Sequence, residues 1–396
     1  MDAQEAKTVG ELLRKLRLKR DLTLEVVAGL AGMSAGFLSQ VERGLAPLQR
    51  LSHWRGIADA LGVPLSDLLR LELPVPGNGG THNATEAIRD ALDAVAAGYP
   101  GGKMLPVPAL KQRVTRVYRL NRQCRFQDVG QTLPELIRDL HTTLAIGRDL
   151  STLLPLGVLL HVHVTRIWCN AAEATTELRR QAMFLAQHLA REHNEAVSLA
   201  TAAYGLAATL VGGGSFNLAQ TVIDQTTLPP VTVDTAGLVC ATLASPRARL
   251  LAVKGGDPVA PLAEAAEIAD RFGEAGEADP YGFSYGSMCV GFRRISVAME
   301  LGDVDDAIRS VRAVRPERSP FRADEAFYWR EAGRALAHAG GPVAEPVRAY
   351  LRAEALLPVK LYRNLKTREV LRELLTRAPD NEQLQQLAKR ASLEQR

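Results

Sequence analysis

At 396 residues the chain is too long for one small domain and long enough for two or three ordinary ones. Apolar residues make up 46% and aromatics only 5%, while a net charge of +4 neither marks nor excludes a nucleic-acid partner. No run of 18 uncharged apolar residues offers a membrane span, no signal-peptide pattern opens the chain, and Cys124, Cys169, Cys240 and Cys289 form no CxxC pair. These features lead us to expect a cytoplasmic protein with reduced thiols, no structural zinc and no membrane contact.

Alanine and leucine dominate and β-branched runs are rare, which points to helices. Val9 to Lys19 predicts an amphipathic helix with Leu12, Leu13 and Leu16 inward and Arg14, Lys15, Arg17 and Lys19 outward. Thr23 can cap a second helix, Leu24 to Ala31, with Val26, Val27 and Leu30 inward. Gly32-Met33 is a short joint to a third helix, which Ser34 caps and Gly44 ends. Phe37, Leu38 and Val41 form its inward stripe. Ala35, Gly36, Ser39 and Gln40 fall on the other side, where small and polar side chains can approach base edges. Two helices joined this way are a helix-turn-helix, with the third helix as the recognition element. Ser52 to Leu61 predicts a fourth helix with Trp54, Ile57 and Leu61 on one face, and Leu65 to Leu69 closes the core.

Residues 1–73 hold ten Lys or Arg against nine Asp or Glu, so distribution matters more than the total. Arg14, Lys15, Arg17, Lys19 and Arg20 cluster ahead of the recognition helix, and Arg43, Arg50 and Arg55 come after it. Cations so placed can contact phosphates on both sides of a groove, although a solvated helix face has the same pattern.

Four segments together resemble the DNA-binding domain of phage repressors and the XRE family. They are Leu13-Arg14-Lys15-Leu16-Arg17, Leu22-Thr23, Leu38-Ser39-Gln40-Val41-Glu42-Arg43-Gly44 and Ile57-Ala58-Asp59-Ala60-Leu61-Gly62-Val63-Pro64. The resemblance implies a five-helix repressor-like domain over residues 1–73 that binds double-stranded DNA. The residues assigned to DNA are Thr23, Ser34, Ala35, Gly36, Ser39, Gln40, Arg43 and Arg50. Two departures stand out. Leu24 occupies the place where the family usually has a phosphate-binding Gln, and the loop after Gly44 is about one residue longer than usual. Ala35 and Gly36 cannot donate hydrogen bonds, so direct readout rests on Gln40, Ser39 and a methyl contact from Ala35.

Pro74 to Asn83 mixes Pro, Gly and polar residues and reads as a linker. Beyond it, over 84–396, one helix succeeds another. They are expected near 84–97, 108–123, 128–147, 154–170, 174–191, 194–211, 216–225, 235–253, 258–273, 283–301, 303–313, 323–339, 343–356, 360–376 and 380–393. Short joints such as Gly302-Asp303 and Gly340-Gly341-Pro342 between helices of similar length suggest an α-solenoid. Trp329, Gly333, Leu336, Tyr350, Ala353 and Pro358 together resemble a tetratricopeptide repeat; Tyr118 to Pro134 and Gly291 to Pro316 are weaker echoes. The fold class expected is therefore all-α, a repressor-like domain and then a degenerate tetratricopeptide-like solenoid. That architecture resembles a group of actinobacterial transcriptional regulators. It implies a homodimer whose repeat groove senses a small molecule or a peptide.

No catalytic constellation stands out, so an enzyme and a cofactor are not expected. His161-Val162-His163 sits in a helical stretch, where residues two apart face apart and make a poor metal pair. The aromatic-poor chain concentrates Tyr281, Phe283 and Tyr285 just ahead of Arg293 and Arg294, the one patch suggesting a ligand site. A sequence-specific regulator is the leading reading. A protein-interaction scaffold, with DNA binding secondary, is the other.

Overall fold

The computed structural model describes all but residues 1–2, 47, 49–50, 64–67, 69–78, 173, 229–233, 273–286, 320, 363, 392 and 394–396. Among the described residues every regular element is helical. The first four helices are α1 (Ala3–Lys19), α2 (Leu24–Leu30), α3 (Ala35–Glu42) and α4 (Leu51–Ala60). Their apolar stripes close one core around Leu13, Val27, Leu38, Val41, Trp54 and Ile57. The Trp54 indole donates to the Leu48 carbonyl at 3.0 Å, so its polar end is satisfied inside that core. Of the segment expected to form the fifth helix, only Leu68 is described, and it is buried.

Five residues expected to point inward do so only in part or not at all; of these, Leu12 and Leu16 of α1 are half-buried. Val26 and Leu30 are 45% and 65% exposed, and α2 buries Val27, Ala28 and Ala31 instead. The reason is the approach of α4: a Cβ at Gly56 would lie 2.8 Å from the Ala31 backbone. Helices that close need small residues at the contact, and the Val27-Ala28-Ala31 face supplies them. Phe37 is only half-buried, its ring edge against His53 at 5.7 Å between centroids.

The remaining helices are α5 (Gly79–Ala96), α6 (Val107–Arg122), α7 (Phe126–Leu144) and α8 (Leu150–Leu159). A π-helical turn, Leu160–Thr165, leads into α9 (Arg166–Ala171). Then come α10 (Thr176–His193), α11 (Ala196–Gly212), α12 (Phe216–Asp224), α13 (Asp234–Lys254) and α14 (Val259–Phe272). The chain continues with α15 (Ser287–Leu301), α16 (Val304–Ala313), α17 (Arg322–His338), α18 (Ala344–Leu356), α19 (Pro358–Tyr362), α20 (Leu365–Arg377) and α21 (Glu382–Arg390). The single helix expected over 360–376 is two, because Asn364 accepts from the Thr367 N–H at 2.9 Å and starts a new helix. Residues 79–83, read as the end of a linker, are helical; 74–78 lie outside the described residues.

Small residues set how closely the helices approach. A Cβ on Gly333 of α17 would sit 2.7 Å from the Tyr350 ring of α18, and Tyr350 is fully buried. Gly130 and Trp168, and Gly205 and Met183, repeat that fit at 2.8 and 2.6 Å. The stretch Leu150–Ala171 is long and apolar enough to span a bilayer by composition, but 67% of its most apolar window is buried inside the protein. It serves as a core helix.

The helical array also curves back on itself. Arg122 at the end of α6 pairs with Asp324 of α17 at 2.7 Å across 202 residues of sequence. Lys360 of α19 donates to Asn170 of α9 at 3.1 Å.

Gly333→Ala forces a methyl into the Tyr350 ring and should cost about 1–3 kcal/mol, with partial recovery by Tyr350→Leu on that background; thermal melting measures both. A Gly333→Ala protein as stable as the parent would refute the close fit. A second expectation concerns His141 and His161, whose Nε2 atoms meet at 2.9 Å. Burial holds His141 down to about 4 and His161 well below its usual range. The unfolded chain binds these protons more readily, so stability is full above about pH 6.5 and is lost as pH falls from there toward 4. His141 alone should account for roughly 2 kcal/mol between pH 7 and pH 5. Equal melting temperatures at the two pH values would contradict this.

Candidate nucleic-acid interface and internal cavity

The second and third helices meet at 109°, within the range of a helix-turn-helix. Each is capped as its sequence requires. Thr23 Oγ1 accepts from Val26 N–H at 3.3 Å, and Ser34 Oγ accepts from Phe37 N–H at 3.1 Å. The joint turns at Gly32, with φ +66°, and the Met33 N–H returns to the Ala28 carbonyl at 2.9 Å. Gly44 ends the third helix at φ +71°. Its missing side chain also leaves room for Lys7, whose Cα would lie 2.7 Å from a Cβ there.

This frame sorts the residues assigned to DNA. Thr23, Ser34, Gly36, Gln40 and Arg43 are exposed, and Ala35 and Ser39 are half-buried. No atom lies within 4 Å of the place a Cβ would take on Gly36, so a flat surface can come close to the backbone there. Arg50 lies outside the described residues, as do the Arg55 side chain and its contacts.

The main correction in this region is Arg17, whose helix position predicts an outward side chain. It is buried and forms a two-pronged ion pair with Glu42: Nε to Oε1 and Nη2 to Oε2, both 2.7 Å. Its third prong, Nη1, donates to the Leu22 carbonyl at 3.0 Å. The hydrogen bonds to Glu42 outweigh burial and hold the guanidinium above its ordinary range. One side chain of the first helix thereby fixes the end of the third helix and the turn before the second. The close backbone approach at Gly10 makes this reach feasible, since a Cβ there would lie 2.3 Å from the Val41 carbonyl.

The helical array borders a partly open cavity of about 470 Å³. Its lining includes Arg122, His163, Arg166 and Arg179 from the first half of the chain and Arg249, Arg293, Arg330 and Lys366 from the second. Arg166 donates to the Val162 carbonyl at 3.0 Å and to the Tyr204 hydroxyl at 3.3 Å. His163 stacks on the Tyr204 ring with centroids 6.0 Å apart. Burial, with Arg166 and Arg122 nearby, keeps His163 well below its usual range and therefore neutral. The Arg293 and Arg330 guanidinium carbons each lie 4.9 Å from the centre of the Phe327 ring.

Only part of the expected ligand patch reaches this cavity. Arg293 lines it. Arg294, one residue on, points to the surface toward Asp306 at 3.9 Å, because adjacent helical residues point about 100° apart. Tyr281, Phe283 and Tyr285 lie outside the described residues. His161 and His163 face apart as expected, one toward His141 and the other toward Tyr204. The other cavity cations come from helices spread over the chain, and no local motif announces them. The legible clue is Arg166, a charge inside the apolar stretch Leu150–Ala171.

Glu42→Gln leaves a buried guanidinium without its countercharge and should destabilise the N-terminal helices by about 3–5 kcal/mol. Arg17→Met combined with Glu42→Leu, which removes both charges, should cost far less. Chemical denaturation with Trp54 as the probe separates the cases, and a silent Glu42→Gln would show that the pair does not hold the helices.

Comparison with known families agrees with the helix-turn-helix geometry. A family described as "Helix-turn-helix domain" matches residues 8–71. No curated protein matches the chain. Among solved structures, the crystal structure of Bacillus thuringiensis PlcR in complex with the peptide PapR7 and DNA is similar at 10% identity. It covers 67% of this chain and 95% of that one, with a TM-score of 0.23. A helix-turn-helix domain, matched over residues 8–71, thus precedes a long helical region.

Proposed function

We propose that the chain is a sequence-specific transcriptional regulator of the XRE type that reads double-stranded DNA with the third helix. The observation that carries this reading is the exposed edge Ser34, Gly36, Gln40 and Arg43 on a helix held at 109° to its neighbour. Gln40 is the long polar side chain at the middle of that edge, suited to a base. Arg43, at the helix end, is suited to a phosphate. The second region is read as tetratricopeptide-like, supported by the Gly333–Tyr350 fit, and its cavity as a sensing site. A homodimer would place two reading heads on half-sites about one helical turn apart.

Gln40→Ala should lower affinity for a selected operator by about 1–3 kcal/mol and relax specificity at one base pair. Arg43→Ala should weaken all sequences alike and reduce the salt dependence by about one phosphate contact. Selection of binding sites from random duplexes, then titration at several salt concentrations, tests both. Failure of the intact protein to enrich any sequence would overturn the reading.

A further inference from the structure

The cavity walls carry nine Arg and Lys side chains against three carboxylates, Glu300, Asp324 and Glu331. Those carboxylates are already engaged. Asp324 pairs with Arg122, Glu331 with Arg330 at 2.7 Å, and Glu300 with Lys366 and, at 3.5 Å, with Arg334. Arg179 is left with neutral partners, Asn170 at 3.3 Å and Thr176 at 3.1 Å. Arg249 makes no hydrogen bond or ion pair among the described residues. Burial pushes its pKa down; Glu300 offsets this in part, and Arg293 adds to it. Evolution rarely leaves like charges gathered in a recess, because each raises the cost of the others. A bound anion offsets that cost.

We propose that this cavity binds a small organic anion bearing two or more negatively charged oxygen groups, phosphate ester or carboxylate, with Arg249 at the centre of the site. The volume, about 470 Å³, suits a small molecule. Guanidinium forks match the oxygen geometry of both groups. The binding groups also come from distant parts of the chain, Arg166 and Arg179 from its first half and Arg249 and Arg330 from its second, so a bound anion links them. Coupling of that link to DNA rests on the regulator reading above; binding itself does not.

The test uses the full-length protein without DNA. Its melting temperature is measured against sodium pyrophosphate and against citrate, each at fixed ionic strength with chloride as reference. One or both should stabilise the protein saturably, with half-effect below about 1 mM, an affinity of about 4 kcal/mol or more. A response to pyrophosphate alone assigns phosphate esters, and a response to citrate alone assigns polycarboxylates. A response to both assigns polyanions in general. Arg249→Gln should weaken the response at least tenfold and raise the melting temperature of the ligand-free protein, because it removes a charge that burial disfavours. Arg249→Lys, which keeps the charge but not the fork, should weaken the response severalfold and guards against a folding defect in the Gln variant. No saturable response to either anion, or an undiminished response in Arg249→Gln, overturns the proposal. Gln40→Ala should leave the anion response unchanged, so failure here and failure of DNA recognition are separable.

Discussion

The ion pair between Arg122 and Asp324 joins helices 202 residues apart, and the internal organisation of the helical region depends on such closure. An array of helix pairs touching only their neighbours would expose both ends and an open inner face. Here the inner face is folded over, and Arg122 also lies 3.8 Å from the centre of the Phe321 ring. Charge that an open groove would leave hydrated is thereby gathered in a recess. The same closure that organises the core sets nine cationic side chains of the cavity lining beside three carboxylates.

In the N-terminal region a different constraint operates. A core made from four short helices cannot rely on area alone, so it uses geometry. The three prongs of Arg17 join three elements at one point, and Gly10, Gly44 and Gly56 let backbones approach where a methyl would not fit. The outward edge of the third helix is consequently built of small residues around one long amide. Its position is set by groups buried behind it rather than by those on its surface.

The helix-turn-helix is readable in the sequence because caps, joint and stripe are local signals. Thr23, Ser34 and Gly44 do in the structure what their types require. Arg17 is misleading because an arginine on a basic helix looks solvated until its partner, 25 residues away, is in place. Val26 and Leu30 mislead because α2 spans only two turns, too few for periodicity to fix which stripe faces inward. In the helical region most joints fall where Gly and Pro place them. The split at Asn364 escapes notice because a capping Asn inside a periodic run gives a weak signal. The cavity is not legible in the sequence, since its cations converge only after the array closes. The aromatic patch is conspicuous because it is contiguous, yet contiguity does not decide which side chains meet in space.

The π-helical turn Leu160–Thr165 carries a consequence for the descent of the protein. Such a turn accommodates an extra residue without breaking the helix, because its wider i→i+5 bonding absorbs most of the rotation of about 100° that an added residue would impose on an α-helix. Within this one, Thr165 Oγ1 reaches the Leu160 carbonyl at 3.1 Å and Asn121 donates to the carbonyl of His163 at 3.0 Å, so the wider turn is supported from inside. Immediately after it comes Arg166, aimed at Tyr204 and the cavity. The extra residue is therefore taken up within the turn, and Arg166 beyond it keeps its face toward Tyr204 and the cavity. An ancestral insertion at this point would have been tolerated without moving the positive charge that this helix brings to the cavity wall.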